Sequence, residues 1–138
     1  MADAAASGSR KQRPLSPFVS IYRWPVTMLT SIVHRITGVG LAGGALLIAW
    51  WLIATAAGPG AYGTFAAVAG SWFGKLVLFG FTWALVFHLL SGIRHLVWDF
   101  GYGFEKNRAE RIGTIIIALS VILTIAIWAL VYFRGGAL

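Results

Sequence analysis

The stretch Ile112–Phe133, IGTIIIALSVILTIAIWALVYF, contains no charged residue and ends directly before Arg134. As an α-helix at about 1.5 Å per residue it would measure about 33 Å, which matches the hydrocarbon thickness of a bilayer. Its apolar residues follow one another continuously instead of alternating, so the pattern favours a helix over a strand of a transmembrane barrel. This stretch therefore predicts a membrane-spanning helix.

Two further uncharged runs precede it, at residues 36–74 and 76–93, with Lys75 between them. The first run is too long for one helix and contains Ala57-Gly58-Pro59-Gly60, which is typical of a turn. Pro25 suits the first turn of a helix and marks where the first span begins. We therefore predict three spans, near 28–56, 66–97 and 112–133.

The predicted fold class is an all-α membrane protein. Its three transmembrane helices would form part of a multi-subunit helical bundle, because three helices alone bury too little to satisfy the polar groups among them. Residues 1–24 are predicted to form an N-terminal tail and interfacial segment, and residues 25–138 the membrane anchor.

The composition excludes several classes of protein. Hydrophobic residues make up 59% of the chain and charged residues 11%, and the mean hydropathy is +0.81, whereas soluble domains are about 25% charged. The absence of cysteine excludes disulfides, thiol catalysis and ligation of an iron–sulfur cluster by this chain. Neither a phosphate-binding glycine loop nor a Ser/His/Asp arrangement is evident, which argues against a free-standing hydrolase or ATPase. The net charge of +7 relates to the membrane, and no nucleic-acid partner is expected.

The basic residues predict the orientation. The loop after the first span has none, and the C-terminus has only Arg134. The positive-inside rule then puts the N-terminus and the second loop in the cytoplasm, or in a mitochondrial matrix, and the C-terminus outside. The basic residues on the inner side are Arg10, Lys11, Arg13, Arg23 and Arg35 before the first span, and Arg94, Lys106, Arg108 and Arg111 in the second loop.

The N-terminal tail bears on the location. It does not resemble a secretory signal, because Pro14, Pro17 and about 20 residues separate its basic residues from the first uncharged run. A mitochondrial transit peptide fits less well, because the tail is short and only one arginine precedes Lys11. We expect the bacterial inner (cytoplasmic) membrane, with the mitochondrial inner membrane as the less favoured location.

Three polar residues, Ser31, His34 and Arg35, lie at the inner end of the first predicted span. Ser31 and Arg35 are four residues apart and share a helix face, where they could hold one polar ligand at the membrane boundary. Alternatively, Arg35 and His34 simply extend to the lipid headgroups. The pattern alone leaves both interpretations open.

His88 lies deeper, within an uncharged run. A histidine at that depth needs a partner, and neutral imidazole is a good iron ligand, so a b-type haem is one explanation. Gly80, Ala84 and Gly92 recur with His88 at four-residue spacing. This row of small residues would give a flat macrocycle room to approach, or would let another helix pack closely with His88 hydrogen-bonded across the contact.

His95 follows His88 by seven residues and shares its face near the inner surface, where it could bind a haem propionate or simply lie in the interface. The two histidines are about 10 Å apart along the helix, too far to ligate the same iron. His34 is predicted to lie shallower than His88, at the end of its own span. A haem with two histidine ligands would therefore take the second from another chain, which predicts a membrane partner.

These residues resemble the cytochrome b556 membrane-anchor family of succinate dehydrogenase, respiratory complex II. The resemblance covers nearly the whole chain after the tail, and the motifs occur on different spans in the family's order. Many members carry histidine after Ser-Pro, where this chain has Phe18. The segments that carry the resemblance are Arg13-Pro-Leu-Ser-Pro17, Ile21-Tyr-Arg-Trp24, Ser31-Ile-Val-His-Arg-Ile-Thr-Gly38 and His88-Leu-Leu-Ser-Gly-Ile-Arg-His-Leu-Val-Trp-Asp99.

The resemblance implies one of two hydrophobic anchor subunits that hold a flavoprotein subunit and an iron–sulfur subunit at the cytoplasmic face. It implies a ubiquinone pocket where the anchors meet the iron–sulfur subunit, lined by Ser31 and Arg35 and bordered by Trp24. It also implies a haem b shared with the second anchor, with His88 as an axial ligand of the iron and with His34 and Arg35 near a propionate.

The expected function is therefore that of a membrane-anchor subunit of succinate:quinone oxidoreductase, which is not catalytic alone. One alternative is the anchor of another quinone-linked complex, such as fumarate reductase. A second alternative is a membrane scaffold without a cofactor, in which His88 packs against another helix.

Overall fold

The computed structural model describes residues 21–135, in which four helices are joined by short connections. Three of the helices are long and apolar enough to cross a membrane, and residues 21–135 contain no strand. The predicted all-helical protein with three membrane spans is thereby confirmed. The helices are α1 (Val26–Ala57), α2 (Pro59–Gly70), α3 (Trp72–Asp99) and α4 (Lys106–Phe133).

The beginning of α1 agrees closely with the sequence. Pro25 directly precedes the helix, with an extended ψ of 152°, and Val26 is the first helical residue. Most of the predicted tail, residues 1–20, lies outside the described residues, and so do Phe18 and the Arg13–Pro17 segment.

The connection between the first two long helices differs from the prediction. Residues 59–70 were predicted to comprise a turn and the start of the second span, but they form the separate helix α2. Gly58 has a φ of +104°, which favours glycine. Pro59 occupies the first position of α2, where a missing N–H is no loss. These turn-type residues therefore mark a boundary between two helices and not a loop.

A second boundary, at Ser71, delays the start of the second span from residue 66 to Trp72. The Ser71 hydroxyl accepts a hydrogen bond of 3.0 Å from the Gly74 backbone N–H and so caps α3. A Cβ atom on Gly74 would collide with the carbonyl oxygens of Val68 and Ala69. The two helices can approach this closely because residue 74 has no side chain.

The third span begins earlier than predicted, because α4 starts at Lys106 and not near residue 112. Its first turns carry charged side chains, and only residues 100–105 connect it to α3. Glu105 and Arg108 form an exposed ion pair with an N–O distance of 3.5 Å. Solvent can hydrate charged residues at a helix end, so the absence of charge marks the membrane-embedded part of a helix and not its full length.

The start of α1, the end of α3 and the start of α4 lie at the same end of the bundle. A Cβ atom on Gly113 would lie 3.2 Å from Val26 and 3.5 Å from both Arg94 and Thr30, so the three helices meet there. We call this end the basic end, because its exposed side chains include Arg23, Arg35, Lys106, Arg108 and Arg111. The C-terminus of α4 and the helix α2 lie at the opposite end.

The bundle has an apolar exterior, and its interior combines small and polar groups with a few large apolar side chains such as Phe87 and Ile116. Large apolar side chains such as Ile36, Leu46 and Ile53 are mostly exposed, which suits a surface covered by lipid. The buried hydroxyls of α1 and α4 donate to carbonyl oxygens three or four residues earlier in their own helices, so the helices can pack closely without losing hydrogen bonds. These hydroxyls belong to Thr30, Thr37, Ser120 and Thr124.

Arg94 is a buried cation at the point where the three long helices meet. Its side chain is 4% exposed, and its Nη1 donates a hydrogen bond of 3.0 Å to the Thr30 hydroxyl. Its guanidinium carbon lies 4.7 Å from the centre of the Trp98 ring, which is a favourable cation–π distance. Arg94 is predicted from its position in the sequence to be a loop charge, but it lies inside α3 and faces the interior. It is therefore not one of the exposed charges of the basic end.

We predict that Thr30→Val lowers the free energy of unfolding by about 2 kcal/mol, because the buried Arg94 guanidinium loses a hydrogen-bond acceptor. Thr124→Val is the matched control, since the Thr124 hydroxyl is equally buried but donates only to the Ser120 carbonyl of its own helix. Thermal denaturation of the detergent-solubilised protein measures both. Equal losses in the two variants would contradict the role assigned to Thr30.

Candidate functional site

Three histidines predicted from the sequence come together between α1 and α3. The His34 ring stacks on the His88 ring, with centroids 4.0 Å apart and an interplanar angle of 15°. His34 also contacts His95, with centroids 5.2 Å apart. His88 and His95 therefore face the same neighbouring helix, as their spacing predicted. The direct stacking of His34 on His88 was not expected, because His34 was predicted to lie at a shallower level.

A hydroxyl that the sequence analysis missed lies against His88. Thr37 is 2% exposed, and its Oγ1 lies 2.9 Å from the carbonyl oxygen of His34 and 3.3 Å from Nδ1 of His88. The spacing in the sequence indicates this contact, because Thr37 is one helical turn after His34 and thus on nearly the same face of α1. On the next residue, Gly38, a Cβ atom would lie 3.2 Å from Cε1 of His88. This turn of α1 therefore fits closely around the edge of the His88 ring.

Small residues of α1 and α3 near His88 have two different kinds of surroundings. Gly44 of α1 packs directly under the Phe81 ring of α3, where a Cβ atom would collide, so Gly44 serves helix packing. A Cβ atom on Gly43 or Gly80, in contrast, would meet nothing within 4 Å. These open positions belong to a groove of about 430 Å³ between α1 and α3, lined by Gly40, Gly43, Gly44, Leu47, Val77, Gly80, Phe81 and Ala84.

Ser31 and Arg35 lie on another face of α1. Ser31 is half-buried and Arg35 is exposed, and within residues 21–135 neither side chain takes part in a hydrogen bond. Trp24 directly precedes Pro25 and is 61% exposed. All three predicted residues are thus at the basic end and accessible from outside the chain.

Aromatic contacts extend from the histidine cluster to the loop between α3 and α4. His95 contacts the Trp98 ring edge-to-face, with centroids 5.2 Å apart, and Trp98 stacks on Phe104 at 6.0 Å. The Trp98 indole N–H donates to the carbonyl oxygen of Gly103 at 3.3 Å, and Gly103 has a φ of +82°. The loop therefore packs against the end of α3, through Trp98, directly beside His95.

Comparison with known proteins identifies the family of the chain. The family described as succinate dehydrogenase/fumarate reductase transmembrane subunit matches residues 9–127, which include every candidate site residue. The chain is 46% identical over 120 residues to the succinate dehydrogenase cytochrome b556 subunit of Paracoccus denitrificans, covering 87% of this chain and 92% of the relative.

More distant relatives carry the same kind of name. The cytochrome b556 subunit of Rickettsia felis is 36% identical over 117 residues, which cover 85% of this chain and 91% of the relative. The mitochondrial cytochrome b560 subunit of Sus scrofa is 32% identical over 123 residues, which cover 86% of this chain and 71% of the relative. The chain therefore belongs to the family of succinate dehydrogenase/fumarate reductase transmembrane subunits.

Proposed function

We propose that this chain anchors a succinate:quinone oxidoreductase in the membrane, supplies one axial ligand of a haem b and forms part of the ubiquinone-reduction site. The observation that carries the proposal is the position of His88 on α3, one helical turn after Ala84, which lines the groove between α1 and α3. The chain also belongs to a family whose relatives are named cytochrome b subunits. Its partners in the proposal are a second anchor subunit, an iron–sulfur subunit and a flavoprotein subunit.

The residues around His88 fit a haem. Gly80 and Ala84 precede His88 at four-residue intervals, and Gly43 leaves the facing side of the groove open. A flat macrocycle needs such an apolar surface without large side chains. It also needs an imidazole nitrogen, beside that surface, that can reach the iron. When bound, a haem b supplies a carrier for one electron. His34, Arg35 and His95 are the proposed neighbours of its propionates.

The second axial ligand is assigned to the second anchor subunit. His95 shares the helix of His88 and lies about two turns away, too far to ligate the same iron. The His34 ring stacks on the His88 ring with centroids 4.0 Å apart and nearly parallel planes, so the ring nitrogens do not point at each other across a space that an iron could occupy. A partner chain is therefore required, and the exposed apolar flanks of α1 and α3 leave room for its helices.

The quinone site is proposed at the basic end, around Ser31, Arg35 and Trp24. Reduction of a quinone to a quinol takes two electrons and two protons, and charge develops on the quinone oxygens before the protons arrive. The exposed guanidinium of Arg35 can stabilise that negative charge, and the Ser31 hydroxyl can donate a hydrogen bond to the same oxygen. The apolar tail of the quinone would extend along the lipid-facing side of α1.

Succinate oxidation is favoured over fumarate reduction as the physiological direction. The family description names both enzymes, but the relatives from Paracoccus denitrificans, Rickettsia felis and Sus scrofa are all named succinate dehydrogenase subunits. The catalytic chemistry on succinate belongs to the flavoprotein in this proposal. A scaffold without a cofactor would leave the groove beside His88 without an occupant.

The proposed location is a bacterial inner membrane with the basic end in the cytoplasm. The exposed basic residues of that end outnumber those of the opposite end even after Arg94 is discounted, as the positive-inside rule requires. Iron–sulfur and flavoprotein subunits would then dock on the side where Arg35 and Ser31 are accessible.

Cysteine labelling tests the orientation, since the natural chain has no cysteine. We expect a membrane-impermeant maleimide to label Ala61→Cys, in α2, in intact cells. The same reagent should label Asn107→Cys, in α4, only after the membrane is solubilised and the complex denatured. Both positions are exposed in the chain. The reverse pattern would overturn the orientation.

Replacement of the proposed haem ligand tests the haem assignment. In the complex purified through a tag on a partner subunit, His88→Ala should remove or shift the reduced b-type absorption bands. Thr124→Val is the control and should retain them, because Thr124 lies in α4 and its hydroxyl bonds within its own helix. A normal haem spectrum in His88→Ala would refute the assignment.

The quinone assignment predicts that Ser31→Ala and Arg35→Met each slow succinate-driven ubiquinone reduction by about tenfold or more, equivalent to losing about 1.4 kcal/mol of stabilisation. Reduction of an artificial dye by succinate should continue at the normal rate, because the flavoprotein chemistry is unaffected. Arg134→Met, at the opposite end, is the control for loss of charge. Unchanged quinone reduction in both site variants would show that the pocket lies elsewhere.

A further inference from the structure

We infer that Thr37 is a positioning residue for His88: its buried hydroxyl accepts the Nδ1–H of His88, fixes the tautomer with a free Nε2 and raises the electron-donor strength of that nitrogen towards the haem iron. The inference rests on the proposed role of His88 as a haem ligand and adds to it the residue that controls the ligand. Among residues 21–135, Thr37 is the one residue whose side chain lies within hydrogen-bond distance of a His88 ring nitrogen.

The direction of the hydrogen bond follows from the number of protons available. A threonine hydroxyl has one proton to donate and two lone pairs that accept. The carbonyl oxygen of His34 can only accept, and it lies 2.9 Å from Thr37 Oγ1. The hydroxyl proton therefore points to that carbonyl, as is usual for a threonine inside a helix. Towards His88 the hydroxyl can then only accept, so Nδ1, at 3.3 Å, must carry the proton.

This tautomer leaves the other nitrogen of His88 free. A neutral imidazole with its proton on Nδ1 has its lone pair on Nε2, the atom that is then available to a metal. An acceptor that polarises the N–H of a ligating histidine fixes the orientation of the ring and increases the basicity of the metal-binding nitrogen. Because Thr37 is 2% exposed, little water competes for this bond, and the bond is correspondingly stronger.

Packing against the same turn of α1 supports the positioning role. His34 covers one face of the His88 ring at 4.0 Å, and Gly38 leaves just enough space for the ring edge at Cε1. The face and the edge of the ring are thus held by residues within five positions of each other in the chain. Thr37, in the same turn, supplies the polar contact to the His88 ring through an uncharged hydroxyl.

The test compares Thr37→Val, which keeps the shape but removes the acceptor, with Thr37→Ser, which keeps the hydroxyl. Both are made in the complete complex, purified through a partner subunit with its haem bound. We expect Thr37→Val to shift the haem midpoint potential to more positive values and to change the g-values of the oxidised haem in electron paramagnetic resonance, because a weaker donor favours ferrous iron. Thr37→Ser should resemble the natural protein. Thr124→Val, a buried threonine whose hydroxyl bonds within its own helix, should cause no shift.

Three results separate the possibilities. A normal potential and normal g-values in Thr37→Val would overturn the role of Thr37, while leaving His88 as ligand. Equal shifts in Thr37→Val and Thr37→Ser would also overturn it, because serine keeps the accepting hydroxyl and altered packing at residue 37 would then account for the effect. If Thr37→Val does not assemble, Thr37→Ala replaces it under the same criteria. An unaltered haem in His88→Ala, in contrast, would refute the proposed function itself.

Discussion

The hydrocarbon interior of a bilayer offers no hydrogen-bond partners, and this constraint shapes the whole molecule. Every polar group within the three spans must find its partner inside the chain or in another subunit. Hydroxyls of α1 and α4 bond to carbonyls of their own helices, and the Arg94 guanidinium finds the Thr30 hydroxyl. Most of the large apolar side chains face outward instead, with a few such as Phe87 buried, so the usual arrangement of a soluble domain is largely reversed.

Under this constraint, α1 presents two different polar faces. His34 and Thr37 face α3 and hold the His88 ring, while Arg35 points away from the chain. Adjacent residues of a helix are about 100° apart, so one turn of α1 can serve both proposed sites. The proposed haem site and the proposed quinone site thus both use residues of the same short segment of α1.

The sequence was sufficient for the number of spans, because long uncharged runs are visible without the structure, and it singled out the isolated polar residues that remain candidates. It was insufficient for contacts between helices. The stacking of His34 on His88 and the contact of Thr37 with His88 depend on how α1 and α3 pack, which residue spacing does not determine. The glycine–proline pair at 58–59 was also ambiguous, since the same residues begin a turn or a new helix, and α2 shows the second outcome.

The burial of Arg94 has a consequence for biogenesis. An arginine at the centre of a lone helix costs about 3 kcal/mol on insertion into a bilayer, and less near the helix end, where Arg94 lies. When α3 leaves the translocon, α1 has already been synthesised and offers the Thr30 hydroxyl, whereas Gly113 of α4 closes the contact last. Because α1 precedes α3 in the chain, Arg94 enters a membrane that already holds its hydrogen-bond partner.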